Sequence, residues 1–478
     1  MAPAPPHPRV SSGDHGRRLS TVDGSFLRLE SEGVHMHVGF SAVFAAPDGR
    51  PRPTVEAMRD RAAGKLHEVP WARWRLDAAP LGLSEPRWVE DRRFDLAAHV
   101  VQLTNPRDRV SHSSFEALRS AVLSAPLDRS RPLWQISLVP CLEDGRIGLV
   151  GKIHHALVDG LAALQIVTLV IDADSDATSK PAMRWHPAGR AGRVGWAVDS
   201  VKQTVNDSIG AARTAAGALS HPEAAAGGVV RAVKQLADAV TQDVLPSAPH
   251  CRLNVPIGSR RALVGYHARR EELRAARGYG GTLNDVGLAA VAGALRALLL
   301  EDDDTASEPL RTMVPVSMRE NADVTAGNQI SMINISLPTH LASAEKRLAW
   351  VREQTKLLKN TDRPAANQRL HQACGILPAP LRTPVVRAMA GPRQFNLTVS
   401  QSPAPRGSLY LQGCEMQEVY SVVPIAQGHA LAIGMVRYRR ELFFGCYADP
   451  DALHDVYRLP ALLATELRAL GAGPANAS

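Results

Sequence analysis

The chain has 478 residues, 45% apolar and 21% charged, the proportions of a globular protein with room for two domains. Lys and Arg outnumber Asp and Glu by 55 to 47, and the net charge of +8 suits an anionic partner such as nucleotide phosphates or anionic lipid. No tight basic run interleaved with aromatics occurs, which sets nucleic acid aside; scattered cysteines (Cys141, Cys251, Cys374, Cys414, Cys446) with no Cys-x-x-Cys argue against a disulfide framework or cysteine zinc site and for a reducing cytosol.

Met1–Arg18 is rich in Pro, Ser and His without an apolar core, so it reads as a disordered start, neither signal peptide nor anchor. No run of about 20 apolar residues is present. Ala156–Ile171, interrupted by Asp159, and Val286–Leu300, interrupted by Arg296, read as buried helices.

Met36–Phe44 predicts a strand ending at the turn Pro47-Asp48-Gly49. Thr54–Val69 and Ser113–Leu123 have helical spacing. Trp134–Leu142 and Ile147–His155 read as strands joined by Glu143-Asp144-Gly145-Arg146, whose Asp-Gly pair predicts a hairpin. Leu161–Ile171 is helical. Composition then shifts to Ala, Gly and Ser over Pro181–His250, an interdomain connection. Within it, Val194–Leu219 carries an amphipathic face (Trp196, Val198, Val201, Val205, Ile209) that suits a membrane surface or packing on the protein itself.

Beyond Arg252, Thr282–Leu300 predicts a helix with Asp285 near its start, where a carboxylate complements the helix dipole. Thr312–Met318, Gln329–Leu337 and Phe395–Ser400 read as strands, and Leu431–Tyr438 with Leu442–Tyr447 as a hairpin. Arg347–Leu358 and Ala461–Leu470 are helical. Strands and helices mix in both halves, so an α/β two-domain body is expected. Its parts are a disordered start (1–18), an N-terminal domain (19–180), the connection (181–250) and a C-terminal domain (251–478).

The stretch that carries chemistry is His154-His155-Ala156-Leu157-Val158-Asp159-Gly160, placed where an apolar strand ends and a helix is about to begin. Adjacent strand residues point to opposite faces, so the two imidazoles cannot easily share a metal ion, and no third ligand stands at a suitable spacing. One ring is expected to face a cavity. An imidazole titrating near neutrality can strip the proton from an alcohol. Asp159 suits a loop-fixing ion pair with an Arg, and Gly160 a tight entry into the next helix. No Gly-x-Ser-x-Gly elbow is present, so direct attack by an alcohol on a thioester fits better than a covalent route.

His-His-x-x-x-Asp-Gly is the signature of the coenzyme A-dependent acyltransferase superfamily. Within it the chain resembles the bacterial wax ester synthase/diacylglycerol acyltransferases. The resemblance rests on Leu19-Ser20-x-x-Asp23-x-x-Phe26-Leu27, Met36-His37-Val38-Gly39 and Leu127-Asp128-Arg129-Ser130-Arg131-Pro132-Leu133-Trp134. In the second half it rests on Asn254-x-Pro256-Ile257-Gly258-x-x-Arg261, Asn284-Asp285-Val286, Pro315-Val316-Ser317-Met318-Arg319, Gly327-Asn328-Gln329 and Phe395-Asn396-Leu397.

The resemblance implies two chloramphenicol-acetyltransferase-like domains, each a mixed sheet flanked by helices, with the active site in a tunnel at their interface. It implies His155 as general base, and His154, Asp159, Gly160 and Arg319 as motif or structural residues. Asn284, Asp285 and Asn396 are implied to contact substrate or support the site, although Asn284-Asp285 also suits a plain helix cap. His35 and His37 receive no role. The implied reaction passes a long-chain acyl group from acyl-coenzyme A, a co-substrate with no further cofactor, to diacylglycerol or a fatty alcohol. It takes place in the cytoplasm, at a membrane or lipid-droplet surface. The family's Ser-Asn-Val-Pro-Gly-Pro after Phe-Asn-Leu is replaced here by Ser400-Gln401-Ser402-Pro403-Ala404-Pro405. That departure keeps open another hydroxyl acceptor (a polyketide lipid or a sugar) or an inactive acyl-binding protein.

Overall fold

The structure, a computed structural model, describes residues 17–46, 49–78, 86–158, 160–187, 247–276, 278, 280–300, 308–317, 330–359, 379–402 and 407–471. Val194–Leu219, Gly327–Gln329 and Pro403–Pro405 lie outside the described residues, as does most of the expected disordered start.

The first half runs β1 (Arg17–Arg18), α1 (Thr21–Leu29), β2 (His37–Phe44), α2 (Val55–Lys65), β3 (Trp74–Asp77), β4 (Arg87–Glu90), α3 (Leu96–His99), β5 (Val100–Gln102), α4 (His112–Ser124), β6 (Trp134–Val139), β7 (Ile147–His154) and α5 (Gly160–Thr168). The second runs β8 (Ala262–Ala268), α6 (Arg270–Ala276), α7 (Leu283–Leu300), β9 (Leu310–Ser317), β10 (Ile330–Leu337), α8 (Ala344–Lys359), α9 (Ala379–Met389), β11 (Leu397–Ser402), β12 (Tyr410–Leu411), β13 (Cys414–Val422), β14 (Leu431–Tyr438), β15 (Glu441–Ala448) and α10 (Leu459–Gly471).

Two mixed six-stranded sheets result, as expected of the fold class: β12-β13-β2-β7-β6-β5 and β10-β9-β11-β14-β15-β8. A small sheet, β1-β4-β3, stands beside the first. It corrects one expectation. Arg17 and Arg18, placed in the disordered start, pair with Trp88 and Arg87, because a ladder partner is available there. The sheets also do not divide where the sequence does. β12 and β13 come from the second half, yet β13 lies along β2 in the first sheet, with Val422 opposite Gly39.

Local signals start the elements. Ser20 and Asp23 form a reciprocal capping box at α1, and Thr54 and Ser111 cap α2 and α4 through their hydroxyls. In the β6–β7 connection, Gly145 takes φ +85°, a left-handed turn at no steric cost. Gly39 allows β2 to approach β7 closely: a Cβ there would stand 2.3 Å from the Gly151 carbonyl oxygen.

α4 joins the halves. Phe115 packs on Gly148 of β7, while the Arg119 guanidinium donates to the Leu263 carbonyl of β8 over 2.6 Å. The Ser120 hydroxyl donates to the Arg261 carbonyl, and the Arg261 N–H donates to the Ser124 hydroxyl over 2.9 Å. α7 is long and apolar enough to cross a membrane, but its residues from Asp285 to Leu295 are all buried and it packs against α8 and α10. It is a core helix, each fully buried Leu or Val contributing about 1.5–3 kcal/mol.

Candidate active site

β7 is buried along its whole length and delivers the histidine pair at its end. It pairs antiparallel with β2, setting His154 opposite His37. The ladder continues one step further, where the His155 N–H donates to the Met36 carbonyl over 2.8 Å. The chain then turns, with the Leu157 N–H on the His154 carbonyl at 3.0 Å, and α5 starts at Gly160. Strand alternation sends the two rings opposite ways.

His154 is 2% exposed, and both its ring nitrogens are committed. Nδ1 accepts the Ala156 N–H at 3.0 Å, so it carries no proton. Nε2 is therefore the protonated nitrogen and donates to Glu30 Oε1 at 3.0 Å. Such a ring can serve neither as base nor as metal ligand. Glu30 also pairs with Arg129. Burial would raise the Glu30 carboxyl, but the hydrogen bonds from His154 and Arg129, with the Arg129 charge, hold it at about 2.

His155 is half-buried. Its imidazole lies flat on Phe26, centroids 3.9 Å apart and planes 6° from parallel. Phe26 reaches it from α1. That helix ends at Glu30, and its last carbonyls, those of Arg28 and Glu30, accept from Arg387 of α9 at 3.1 and 3.4 Å. Thus the Leu19–Leu27 motif forms a capped helix whose aromatic residue faces the second histidine.

On the His154 side of β7 the neighbours are basic. Lys152, 2% exposed, donates to the carbonyls of Val122 and Ala125 over 2.6 Å each. His37 stacks on His35 and meets His154 edge-on. Burial, with the charges of Lys152 and Arg261 added, lowers His37 well below the usual imidazole range. Arg261, also 2% exposed, crosses from the second half to donate to the Gly33 carbonyl.

The remaining anticipated residues fall elsewhere or outside the description. Asp159 and Arg319 lie outside the described residues. Asp285 caps α7: its Oδ2 accepts from the Thr282 N–H and hydroxyl at 2.8 and 2.9 Å, and its Oδ1 from Thr355 of α8 at 2.8 Å. With both oxygens engaged, it reads as the cap. Asn284 is half-buried on the same first turn. Asn396, fully buried, accepts the Arg311 N–H at 2.8 Å and donates to Pro249 O and Asn254 Oδ1 at 2.7 and 2.6 Å. It fastens β11 to β9 and to the entering chain. Gln401 is exposed at the end of β11, opposite Met435.

Sequence reasoning gave no role to Glu30 or Lys152. Both are charged residues flanking apolar or histidine-bearing runs, and only pairing across 124 and 27–30 residues of chain reveals their partners.

A family model described as the wax ester synthase/diacylglycerol acyltransferase catalytic domain matches residues 19–287, and one described as the WS/DGAT C-terminal domain matches residues 326–471. A protein of Mycobacterium tuberculosis, provisionally named diacylglycerol O-acyltransferase Rv0895, is 30% identical over 475 residues, 95% of this chain and 90% of the relative. Another, provisionally named diacylglycerol O-acyltransferase tgs1, is 29% identical over 452 residues, 92% of this chain and 93% of the relative. Among solved structures, the wax ester synthase/diacylglycerol acyltransferase from Marinobacter aquaeolei VT8 superposes with TM-score 0.67 at 25% identity, over 95% of this chain and 98% of that one. The first condensation domain of the CDA synthetase, at TM-score 0.58 and 15% identity over 96% and 97%, shares the fold alone. With both family models matched in order and relatives aligned over nearly its whole length, the chain belongs to the wax ester synthase/diacylglycerol acyltransferase family of acyltransferases.

Proposed function

We propose that this chain transfers a long-chain acyl group from acyl-coenzyme A to the hydroxyl of diacylglycerol or of a fatty alcohol, with His155 as general base. The observation that carries the reading is the division of labour within the histidine pair. His154 spends both nitrogens on Ala156 and Glu30, whereas His155 closes β7 half-buried, its face set by Phe26. In the proposed step the imidazole takes the hydroxyl proton as the oxygen attacks the thioester carbonyl. The tetrahedral intermediate then collapses, the C–S bond breaks, and the imidazolium returns the proton to the departing thiolate. The ester and free coenzyme A leave, and no acyl-enzyme forms. Substrates are proposed to reach residue 155 through a passage at the junction of the halves, beside α1 and α9. No resident cofactor is needed for this chemistry.

Purified protein given palmitoyl-coenzyme A with dioleoylglycerol or hexadecanol is expected to release free thiol. H155A should lower kcat by about 10²–10⁴-fold, the usual contribution of a positioned base. Full activity in that variant removes the base. The same assay on an acceptor panel decides the alcohol; turnover only on a sugar or polyketide hydroxyl would overturn the lipid acceptor. The net charge of +8 supports work at an anionic membrane or lipid-inclusion surface in the cytoplasm, which co-flotation with anionic against neutral vesicles tests.

A further inference from the structure

Glu30 occupies a position that helix energetics alone would not choose. It is the C-cap of α1, leaving the helix at φ −64°, ψ 143°, so its carboxylate sits beside the negative end of the helix dipole. It is nonetheless held ionised, between the His154 ring and Arg129. One oxygen fixes His154, the residue next to the base. The other fixes the Asp128–Arg131 turn that leads into β6. The backbone at the same point is gripped from the second half by Arg387. Phe26 stands four residues earlier, one turn back along the same face of α1, with its ring flat on His155. The carboxylate that pins the end of α1 to the end of β7 therefore also sets the height and tilt of the ring that covers residue 155.

We propose that Glu30 is a positioning residue for His155. By accepting the Nε2–H hydrogen bond of His154 and closing on Arg129, it locks the His154 tautomer and holds α1 against β7, and through Phe26 it holds the second imidazole in one orientation. The inference rests on the reading of His155 as the base. A base acts only within hydrogen-bond reach of the proton it abstracts, so a ring free to tilt loses rate without losing substrate affinity.

The test compares E30A, E30Q and F26L, using palmitoyl-coenzyme A and whichever alcohol of the panel gives most turnover. E30Q keeps an oxygen that can accept from His154 but loses the charge that holds Arg129; F26L keeps apolar volume but loses the flat face. For E30A, kcat should fall about 10²-fold while KM for palmitoyl-coenzyme A stays within about twofold. E30Q should recover to within about tenfold of the wild type, and F26L should also lose kcat rather than KM. Thermal midpoints of E30A and E30Q should lie close together, so that stability does not rank their rates. The proposal is overturned by wild-type kcat in folded E30A, or by E30A and E30Q losing kcat equally and in step with their thermal midpoints. Should E30A not fold, wild-type kcat in both E30Q and F26L overturns it. H155A separates the two readings: an active H155A sinks the base, whereas an inactive H155A beside a fully active E30A sinks only the role of Glu30.

Discussion

The Lys152 ammonium donates to the Ala125 carbonyl over 2.6 Å, at the C-terminal end of α4. Its second bond, also 2.6 Å, goes to Val122 O of the same helix end. A cation suits that end of a helix dipole and satisfies carbonyls that the helix cannot pair itself. The second half serves the same helix end: the Tyr447 hydroxyl donates to Leu123 O, and Ser124 accepts the Arg261 N–H. The last turn of α4 is thus a polar joint between the sheets, and Lys152 ties it to the strand that carries the histidines two residues later.

Burial lowers the Lys152 ammonium from its ordinary 10.5 to about 8. Because the folded value lies below the unfolded one, the unfolded chain binds more protons across that window, and stability rises with pH through it. The gain should amount to roughly 1 kcal/mol between pH 7 and pH 9. Urea unfolding of wild type and K152M at the two values isolates the lysine, since all other groups cancel in the difference. An unchanged difference would show that the lysine is not strained by burial.

Much of the fold is legible where period and turn chemistry agree. Ile147–His155, with the Asp144-Gly145 turn before it, and Leu431–Tyr438 read as strands from their apolar runs, the second even though its turn uses Arg439 and Arg440 at φ 49° and 69° in place of Gly or Asn. β13 is not legible in the same way. A bulge between Met416 and Glu418 breaks its alternation, and its partner β2 lies nearly the whole chain away. At the site, a local motif singles out the histidine pair, but what fixes the first ring is Glu30, 124 residues upstream of His154. Sequence spacing cannot supply that. The Asn284-Asp285 pair shows the converse: the residue types alone suit a helix cap, and the structure adds the bonds of Asp285 to Thr282 and Thr355.

Those added bonds make Asp285 testable as structure rather than chemistry. D285A removes the carboxylate half of the α7 capping box and one acceptor of the half-buried Thr355 hydroxyl, at an expected cost of about 1–2 kcal/mol. A double-mutant cycle with T355V should return a coupling of about 1 kcal/mol. At a temperature where D285A is fully folded, kcat should match the wild type. A large loss of kcat under those conditions, with stability intact, would move Asp285 from the cap into the site.

Asn396 is the other residue of the second half whose family resemblance resolves into structure. Its carbonyl oxygen accepts from Arg311, and its amide nitrogen faces two acceptors, Pro249 O and Asn254 Oδ1. N396A takes these bonds away from three half-buried partners and leaves a cavity where a fully buried side chain stood, which should cost about 2–3 kcal/mol. N396D should be worse at neutral pH, because a carboxylate oxygen would then confront two oxygens with no proton between them. Its folded pKa must therefore be raised, so the stability it retains is present at acid pH and lost as pH rises through that value. The gap between N396D and N396A should narrow as the pH is lowered from 7 to 5, where the protonated carboxyl can donate one bond. Urea unfolding at the two values measures it. A gap that stays constant, or an N396D as stable as wild type at pH 7, would mean that the amide nitrogen does not face those two acceptors.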